Sequence, residues 1–341
     1  MRLSPPTTRL AAVLATAALL LTACGGEEEP DSGADAAQEA LSADNTGDAD
    51  ADTAAADDSQ DTEPALDAFP VTVDTPIGEV TIEERPERIV SLSPSATEIL
   101  FAIGAGEQVI AADTYSNYPE EAPTTDLSGY DPNVEAIVGY EPDLVVAAND
   151  TNELVGSLTA LDIPVIINPA PADVETGYDG MAALGLATGH VDEAATAISD
   201  MRAAMAEGLA AAPEDAQIRI YHELDDTFYS ASSYSYIGSV YSAMGAVNIA
   251  DEADTDHTGY PQLTEEAIIA ADPQLIVIPS QLSYTPEDVA NRPGWSEVSA
   301  VREGNIIVVE SDISSRWGPR LPQLVDFVAE ALSGIAVPAG R

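Results

Sequence analysis

Two stretches of the sequence decide the expected fold: NVEAIVGYEPDLVVA at residues 133–147 and TEEAIIAADPQLIVI at residues 264–278. Six of the fifteen aligned positions are identical, which is typical of an internal repeat. In each copy the polar first residue precedes a short amphipathic helix. Pro142 or Pro273 then ends the helix, and a run rich in Val, Ile and Leu follows. Each copy therefore predicts a helix followed by a buried strand.

Each repeat also has an upstream partner that combines a strand and a helix. RIVSLS at residues 88–93 predicts a strand, and the spacing of Ser95 and Glu98 predicts a capping box at the start of a helix. In the second half, residues 217–221 predict a strand, and residues 237–245 predict a helix that ends at glycine. Because strands and helices alternate, each half predicts a parallel sheet with helices on both faces.

A long helical region without strand character separates the two halves. Apolar residues recur every three or four positions from Leu184 to Leu209, and Pro213 ends the pattern. Gly189 is expected to divide the region into a short helix and a longer one of about twenty residues, which would span about 30 Å. The predicted fold is therefore α/β, with two lobes joined by one long backbone helix. The predicted boundaries are 69–172 for the N-terminal lobe, 173–212 for the helical connector and 213–341 for the C-terminal lobe.

The first 24 residues have the features of a bacterial lipoprotein signal peptide. Arg2 and Arg9 are basic, residues 10–21 are apolar, and small residues precede Cys24. The sequence LTAC resembles a lipobox, in which the cysteine carries the lipid after cleavage. An incidental cysteine or a membrane helix is the alternative, but the apolar run is shorter than the ~20 residues that cross a bilayer. These features predict an extracytoplasmic protein, lipid-anchored to the outer face of the cell membrane.

The charge of the chain is strongly negative, with 60 acidic residues against 11 basic ones and a formal net charge of −49. Fifteen acidic residues and no basic ones lie between residues 25 and 67, so residues 25–68 are expected to form a disordered tether. The remainder is also acidic, which excludes nucleic acid as an expected partner. Cys24 is the only cysteine, so no intrachain disulfide can form.

Several motifs occur in order along the chain: RIVSLSPSATEILFAIG from Arg88, YSNYP from Tyr115, the two repeat copies, and SDISSRWGPR from Ser311. Together they resemble one family, the solute-binding proteins of ABC importers with a helical backbone, which carry cobalamin, ferric siderophores or haem. The resemblance covers roughly residues 81–332. The YSNYP and SDxxxR elements are most similar to the cobalamin-binding branch. The resemblance implies two Rossmann-like lobes that bind a corrinoid or a ferric chelate between them and deliver it to an ABC permease dimer. It also implies a monomer that meets the membrane only through its lipid and has no resident cofactor.

Ligands of two-lobed α/β proteins bind at the carboxyl ends of the strands, and here the loops after the predicted strands are rich in aromatic residues. A broad, partly apolar macrocycle would bury its faces against such side chains. The predicted ligand contacts are Tyr115, Tyr118, Tyr130, Phe228, Tyr229, Tyr260 and Trp317. For Tyr234 and Tyr236, packing within the lobe is an equal alternative. In the cobalamin branch, residues that match Tyr130 and Tyr260 are typically tryptophans, and Ala148 stands where a further aromatic residue is expected.

Two charged residues follow the last predicted strand, residues 306–309. The resemblance implies that Asp312 and Arg316 contact polar side groups of the ligand, and the planar donors of arginine suit amide oxygens, carboxylates or phosphate. A solvated ion pair between residues four apart is the alternative. Arg320 is a weaker candidate of the same kind.

Glu135 and Glu266 occupy the same offset in the two repeat copies. The helix dipole favours an acidic residue in a first turn by about 0.3–1 kcal/mol, which explains the residue type. It does not explain the symmetric placement. The resemblance implies that these two carboxylates dock on arginines of the permease dimer.

Motifs for catalysis or direct metal binding are not found in the sequence. His190, His222 and His257 are far apart and have no metal-ligand spacing. GxSxG, a phosphate-binding loop and a complete GxGxxG are absent from the sequence. We therefore predict a binding protein rather than an enzyme. A ferric-siderophore or haem binder is the first alternative, and an extracytoplasmic enzyme or a surface adhesin on the same scaffold is more remote.

Overall fold

The structure is a computed structural model that describes residues 69–213 and 217–335. The predictions for the signal peptide, Cys24 and the acidic tether lie outside these residues. Within the described ranges, no helix combines the length and the apolar character needed to span a membrane.

The described chain begins with an antiparallel hairpin of strands β1 (Val71–Thr75) and β2 (Gly78–Ile82). Val71 and Val73 alternate with exposed residues and point into the core, as expected for a strand with one buried face.

The N-terminal lobe contains a parallel sheet of four strands in the order β4-β3-β5-β6. The strands are β3 (Ile89–Leu92), β4 (Val109–Ala112), β5 (Leu144–Ala147) and β6 (Val165–Ile167). All residues of β3, β5 and β6 are buried, because helices cover both faces of a parallel sheet. The helices of this lobe are α1 (Pro94–Ala102), α2 (Val134–Val138) and α3 (Leu154–Thr159).

The connector consists of two helices, α4 (Val174–Thr188) and α5 (Val191–Ala211). Gly189 ends α4 in a left-handed conformation with φ of 74°, which glycine adopts without steric cost. The predicted break at Gly189 is confirmed. The 21 residues of α5 correspond to a length of about 30 Å.

The C-terminal lobe repeats the design of the first lobe. Its parallel strands are β7 (Arg219–His222), β8 (Val247–Asn248), β9 (Leu275–Pro279) and β10 (Ile306–Val309), in the order β8-β7-β9-β10. Its helices are α6 (Tyr236–Ala243), α7 (Glu265–Ala271), α8 (Pro286–Ala290), α9 (Ser299–Glu303), α10 (Ser311–Ser315) and α11 (Leu321–Ile335).

Both sheets therefore have the same order, in which the first strand of the lobe lies between the second and the third. The strands of the sequence repeat, β5 and β9, occupy equivalent positions beside β3 and β7. This confirms the predicted α/β fold with two lobes and parallel sheets.

One hydrophobic core runs through both lobes and the connector. It contains Ile89 from the first sheet, Met181 from α4 and Ile220 from the second sheet. Helix α11 packs along α5, and α4 contacts α1 and α6. Because the lobes share packed side chains, which shift cooperatively rather than deform freely, we expect small relative motions.

Candidate ligand-binding cleft

Segments at the carboxyl ends of the two sheets contact each other. The loop after β4, residues 113–133, is joined to residues 310–320 after β10 by hydrogen bonds. Asn117 Nδ2 donates to Asp312 Oδ2 at 2.8 Å, and Arg316 Nη2 donates to the carbonyl oxygen of Tyr115 at 3.0 Å. In α/β proteins, ligands bind at the carboxyl ends of the strands. We therefore call the space between these segments of the two lobes the cleft.

Tyrosines form the N-terminal wall of this cleft. The rings of Tyr115 and Tyr130 pack edge to face with their centroids 5.7 Å apart. Tyr130 is 80% exposed and Tyr115 is 55% exposed, which is unusual for large aromatic side chains and leaves their faces available. Tyr118 is also exposed, but the guanidinium of Arg320 lies 4.2 Å from its ring centroid. The structure thus brings Tyr115 and Tyr130 together, whereas the ring of Tyr118 packs against Arg320.

The C-terminal wall carries a second set of aromatic residues. Tyr229 and Tyr260 are both partly exposed, and their segments pair through a bridge between Tyr229 and Gln262. Tyr234, which the sequence left open, is exposed and stacks on His257 with a centroid separation of 3.8 Å. Sequence analysis missed this stack because the two residues lie in different loops.

Three aromatic residues of the C-terminal lobe pack against other parts of the protein. Phe228 is half-buried and stacks on Trp295 in the outer core of the C-terminal lobe. Tyr236, the other residue left open, is buried at 2% exposure. Trp317 is buried at 3% exposure and packs on Tyr178 of α4. The ring lies so close to Gly177 that a Cβ atom there would collide with it. Direct contact of Trp317 with a ligand stays a prediction.

Arg316 and Arg320 bind a buried carboxylate of the opposite lobe. Glu98 of α1 has a side chain only 1% exposed. Its Oε1 accepts from Arg316 Nη1 at 3.0 Å and from Arg320 Nη2 at 2.6 Å, and its Oε2 accepts from Arg320 Nε at 2.8 Å. We call Glu98, Arg316 and Arg320 the interlobe brace.

The remaining donors of Arg316 are also used within the protein. Asp312 Oδ1 accepts from Nη2 at 2.7 Å, and Asn117 Oδ1 accepts from Nη1 at 2.8 Å. The predicted Asp312–Arg316 pair is therefore present, but it belongs to a network across the cleft rather than to a solvated helix face. Direct contact of either residue with a ligand stays a prediction.

The role of Glu98 differs from the one that the sequence suggested. Ser93, not Ser95, caps α1, since the Ser93 hydroxyl accepts from the backbone N–H of Ala96 at 3.3 Å. Glu98 points instead toward the other lobe. The sequence did contain a signal for a buried ion pair, since Glu98 lies within an apolar helix and an unpaired carboxylate is costly to bury.

Buried polar groups support the N-terminal wall from below. Ser116 Oγ donates to Asp113 Oδ1 at 2.6 Å, and Thr97 Oγ1 lies 2.9 Å from Ser116 Oγ. Burial raises the pKa of Asp113, while its hydrogen bond from Ser116 opposes this. The network fixes the loop that carries Tyr115.

An internal ion pair supports the C-terminal wall. Arg292 donates two hydrogen bonds of 2.7 Å to the carboxylate of Glu223, which is fully buried directly after β7. The Tyr284 hydroxyl donates to the same carboxylate. The guanidinium also lies 4.7 Å from the ring centroid of Trp295, so Glu223 and Arg292 anchor the loop that carries Tyr229.

Glu135 and Glu266 occupy matching positions on the two lobes. Each is the second residue of its helix, α2 or α7, and each is exposed. The helices have equivalent caps, since Asn133 Oδ1 and Thr264 Oγ1 accept from backbone N–H groups three residues later. The symmetry seen in the sequence thus extends to the local structure.

The three histidines have separate environments. His190 contacts Gln108 and Arg85, and His222 is buried with its Nδ1 2.6 Å from the Tyr241 hydroxyl. Burial lowers the pKa of His222 to about 4. In the part of the chain that the structure describes, no three His, Cys, Asp or Glu side chains are arranged to hold a metal ion.

A groove and a cavity lie away from the exposed tyrosines. The groove, of about 820 Å³, runs along β2 at the amino ends of the first sheet, beside Glu87, Asp143 and Pro164. The cavity, of about 330 Å³, lies between α1, α4 and the loop at the carboxyl end of β6, and Trp317 forms part of its lining. The groove is on the wrong edge of the sheet for the site that α/β topology favours.

Comparison with known proteins places this arrangement in a family. Residues 89–313 match the periplasmic binding protein family, and the chain belongs to it. The family consists of solute-binding proteins, not enzymes.

Three relatives illustrate the similarity. The chain is 30% identical over 278 residues to the uncharacterized ABC transporter substrate-binding lipoprotein YvrC of Bacillus subtilis, covering 78% of this chain and 86% of YvrC. It is 31% identical over 282 residues to a cobalamin-binding protein of Halobacterium salinarum, covering 79% and 76%. Among solved structures, the periplasmic heme-binding protein RhuT from Roseiflexus sp. RS-1 superposes with a TM-score of 0.65 at 23% identity, covering 74% of this chain and 99% of RhuT. At this level of identity, the similarity to RhuT shows a shared fold only.

Proposed function

We propose that this protein is the extracytoplasmic substrate-binding lipoprotein of an ABC importer and that it carries a corrinoid in the cleft between its lobes. The observation that carries the proposal is the contact between segments at the carboxyl ends of the two sheets, together with exposed tyrosines in such segments of both lobes. Capture and release require no chemical step.

The composition of the walls supports a corrin. A large, flat ligand gains affinity from apolar faces and needs few polar groups to fix its orientation. Tyr115 and Tyr130 on one side, with Tyr229 and Tyr260 on the other, offer such faces. The cobalamin-binding relative from Halobacterium matches across most of this chain, which favours the same ligand class.

A haem or ferric-siderophore ligand is the second candidate. Tyrosines stand where the cobalamin branch typically has tryptophans, and a phenolate oxygen can ligate ferric haem iron. Tyr130, at 80% exposure, is the most accessible phenol of the N-terminal wall. The fold, the lipid anchor and the docking residues would be the same for this ligand.

Delivery is proposed to depend on Glu135 and Glu266. Both carboxylates are exposed at equivalent helix starts, one on each lobe. A permease dimer with two-fold symmetry would present one arginine to each, and charge pairs of this kind steer association and fix orientation. Lipidation at Cys24 would keep the protein at the membrane surface, where its permease is.

A side-by-side titration tests the ligand. The lipid-free Cys24→Ser protein is titrated with cyanocobalamin, haem and ferric trihydroxamate complexes by calorimetry. We expect cyanocobalamin to bind at one site per chain. Tyr130→Ala combined with Tyr260→Ala should weaken its binding about 10-fold or more, since aromatic contacts contribute about 0.5–1.5 kcal/mol each. Phe327→Ala, an exposed aromatic residue on α11, is the control and should leave affinity unchanged. Haem binding without cyanocobalamin binding would reject the corrinoid.

A further inference from the structure

The segments that follow the strands at the cleft carry an excess of negative charge. Between the end of each strand of the two parallel sheets and the next named helix, together with residues 310–320, the chain has seventeen Asp and Glu and two Arg. Most of these acidic side chains are exposed, including Asp131 beside Tyr130 and Asp226 beside the Phe228–Tyr229 pair. A ligand that enters the cleft therefore meets an acidic rim.

The two arginines of these segments are not free to neutralise a ligand. Arg316 and Arg320 share the buried carboxylate of Glu98, and each has a second carboxylate nearby, at 2.7 Å from Asp312 and 3.5 Å from Glu310. The charges of this group sum to one net negative charge. Releasing either arginine toward an anion would remove one of the two partners of the buried Glu98 carboxylate, which is costly.

Other arginines of the described residues do not supply the missing charge. Arg292 pairs with Glu223 beneath the C-terminal wall. Arg88 and Arg219 bind groups at the amino ends of the sheets, and Arg202 pairs with Glu175 on the connector. Arg85 and Arg302 are likewise bonded outside the cleft. In the described ranges, every arginine has a protein partner.

From these observations we infer that the cleft selects metal chelates that are neutral or cationic and rejects polyanionic ones. The inference rests on the proposed function, because it takes the cleft as the ligand site. An anion would give up hydration without gaining a counter-charge and would be repelled by the rim. A neutral corrinoid would not be repelled by the acidic rim, and a cationic ferric hydroxamate would be attracted to it. Haem, with two propionates, and a ferric triscatecholate, with several negative charges, belong to the rejected class.

A charge series on one ligand core tests the inference. The Cys24→Ser protein is titrated with cyanocobalamin, with its derivative in which one side-chain amide is hydrolysed to a carboxylate, and with a derivative in which that carboxylate carries an amine-terminated amide. Cobalt coordination is the same in all three. A linear ferric trihydroxamate with a free amine, and its acetylated and succinylated forms, provide the same series on a second core.

We expect the carboxylate to bind about threefold to tenfold more weakly than the neutral parent at about 0.1 M salt, and the amine to bind at least as well as the parent. At about 1 M salt, where charges are screened within about 3 Å, the differences should fall below about twofold. Equal or tighter binding of the carboxylate forms would overturn the inference and leave the proposed corrinoid function standing. Binding of haem or a ferric triscatecholate, with neither neutral core bound, would overturn both.

A matched pair of variants links the preference to the rim. Asp131→Asn removes one exposed charge beside Tyr130. It should reduce the ratio of the Kd of the carboxylate derivative to the Kd of the neutral parent. Glu207→Gln removes one exposed charge from α5, on the connector. It should leave the ratio of the two Kd values unchanged. An equal effect of both substitutions would assign the preference to overall charge rather than to the cleft and would contradict the inference.

Discussion

Removing the carboxylate of Glu98 should destabilise the folded protein and loosen the contact between its lobes. The side chain is 1% exposed and is the shared partner of Arg316 and Arg320, whose side chains are only 10% and 13% exposed. Glu98→Ala would leave two poorly hydrated guanidinium groups with fewer counter-charges. Glu98→Gln would keep the shape and one acceptor oxygen but lose the charge.

The size of the effect follows from the partners that remain. Removing one member of a buried ion pair costs about 3–5 kcal/mol. Asp312 stays 2.7 Å from Arg316, and Glu310 stays 3.5 Å from Arg320, so we expect the lower end, about 3 kcal/mol. For a folded region of this size, about 3 kcal/mol corresponds to a fall in Tm of roughly 6–12 °C.

Urea unfolding followed by circular dichroism measures the free energy of unfolding for both variants. Glu175→Gln is the matched control, since Glu175 pairs with Arg202 at the surface with side chains 69% and 49% exposed. Such a pair contributes less than about 1 kcal/mol. A loss below about 1 kcal/mol for Glu98→Ala, equal to that of the control, would refute the interlobe brace.

Three further predictions concern the cleft, the docking residues and a buried histidine. Tyr130→Ala and Tyr260→Ala should each weaken ligand binding while changing the free energy of unfolding by less than about 0.5 kcal/mol, because the tyrosines are 80% and 39% exposed; equal losses of stability and affinity would instead indicate packing roles. Glu135→Arg with Glu266→Arg should abolish uptake by cells and leave the Kd for ligand unchanged, and normal uptake would exclude docking through these residues. For His222, burial lowers the pKa from 6.5 to about 4, so the folded state binds fewer protons than the unfolded state, and the stability present above pH 6.5 is lost as pH falls toward 4. Between pH 7 and pH 5 the loss from this residue should be about 2 kcal/mol. His222→Gln should remove that part of the pH dependence, and an unchanged pH profile of unfolding would contradict it.

Much of the fold was predictable because its signals are local. Helix α7 ends shortly before Pro273, α2 ends at Val138, a few residues before Pro142, and Gly189 adopts the left-handed conformation that ends α4. The repeat between residues 133–147 and 264–278 also predicted two equivalent lobes, and the matching strand orders confirm this.

The features that sequence analysis missed depend on residues distant in the chain. Glu98 and Arg316 are 218 positions apart, and nothing near Glu98 indicates that an arginine of the other lobe will reach it. Trp317 is buried because Gly177 leaves room for its ring, and that pairing is invisible in either segment alone. The sequence therefore predicted which loops lie at the cleft, but it did not predict which of their side chains are exposed.

Hydrogen–deuterium exchange with and without saturating cyanocobalamin tests most directly whether the ligand lies between the lobes. Ligand should slow exchange in residues 113–133 of the N-terminal lobe and in residues 223–235 and 249–264 of the C-terminal lobe at the same time. Exchange along the groove at residues 77–87 should not change. Protection confined to that groove, or to the loops of one lobe, would contradict a shared site at the facing carboxyl ends.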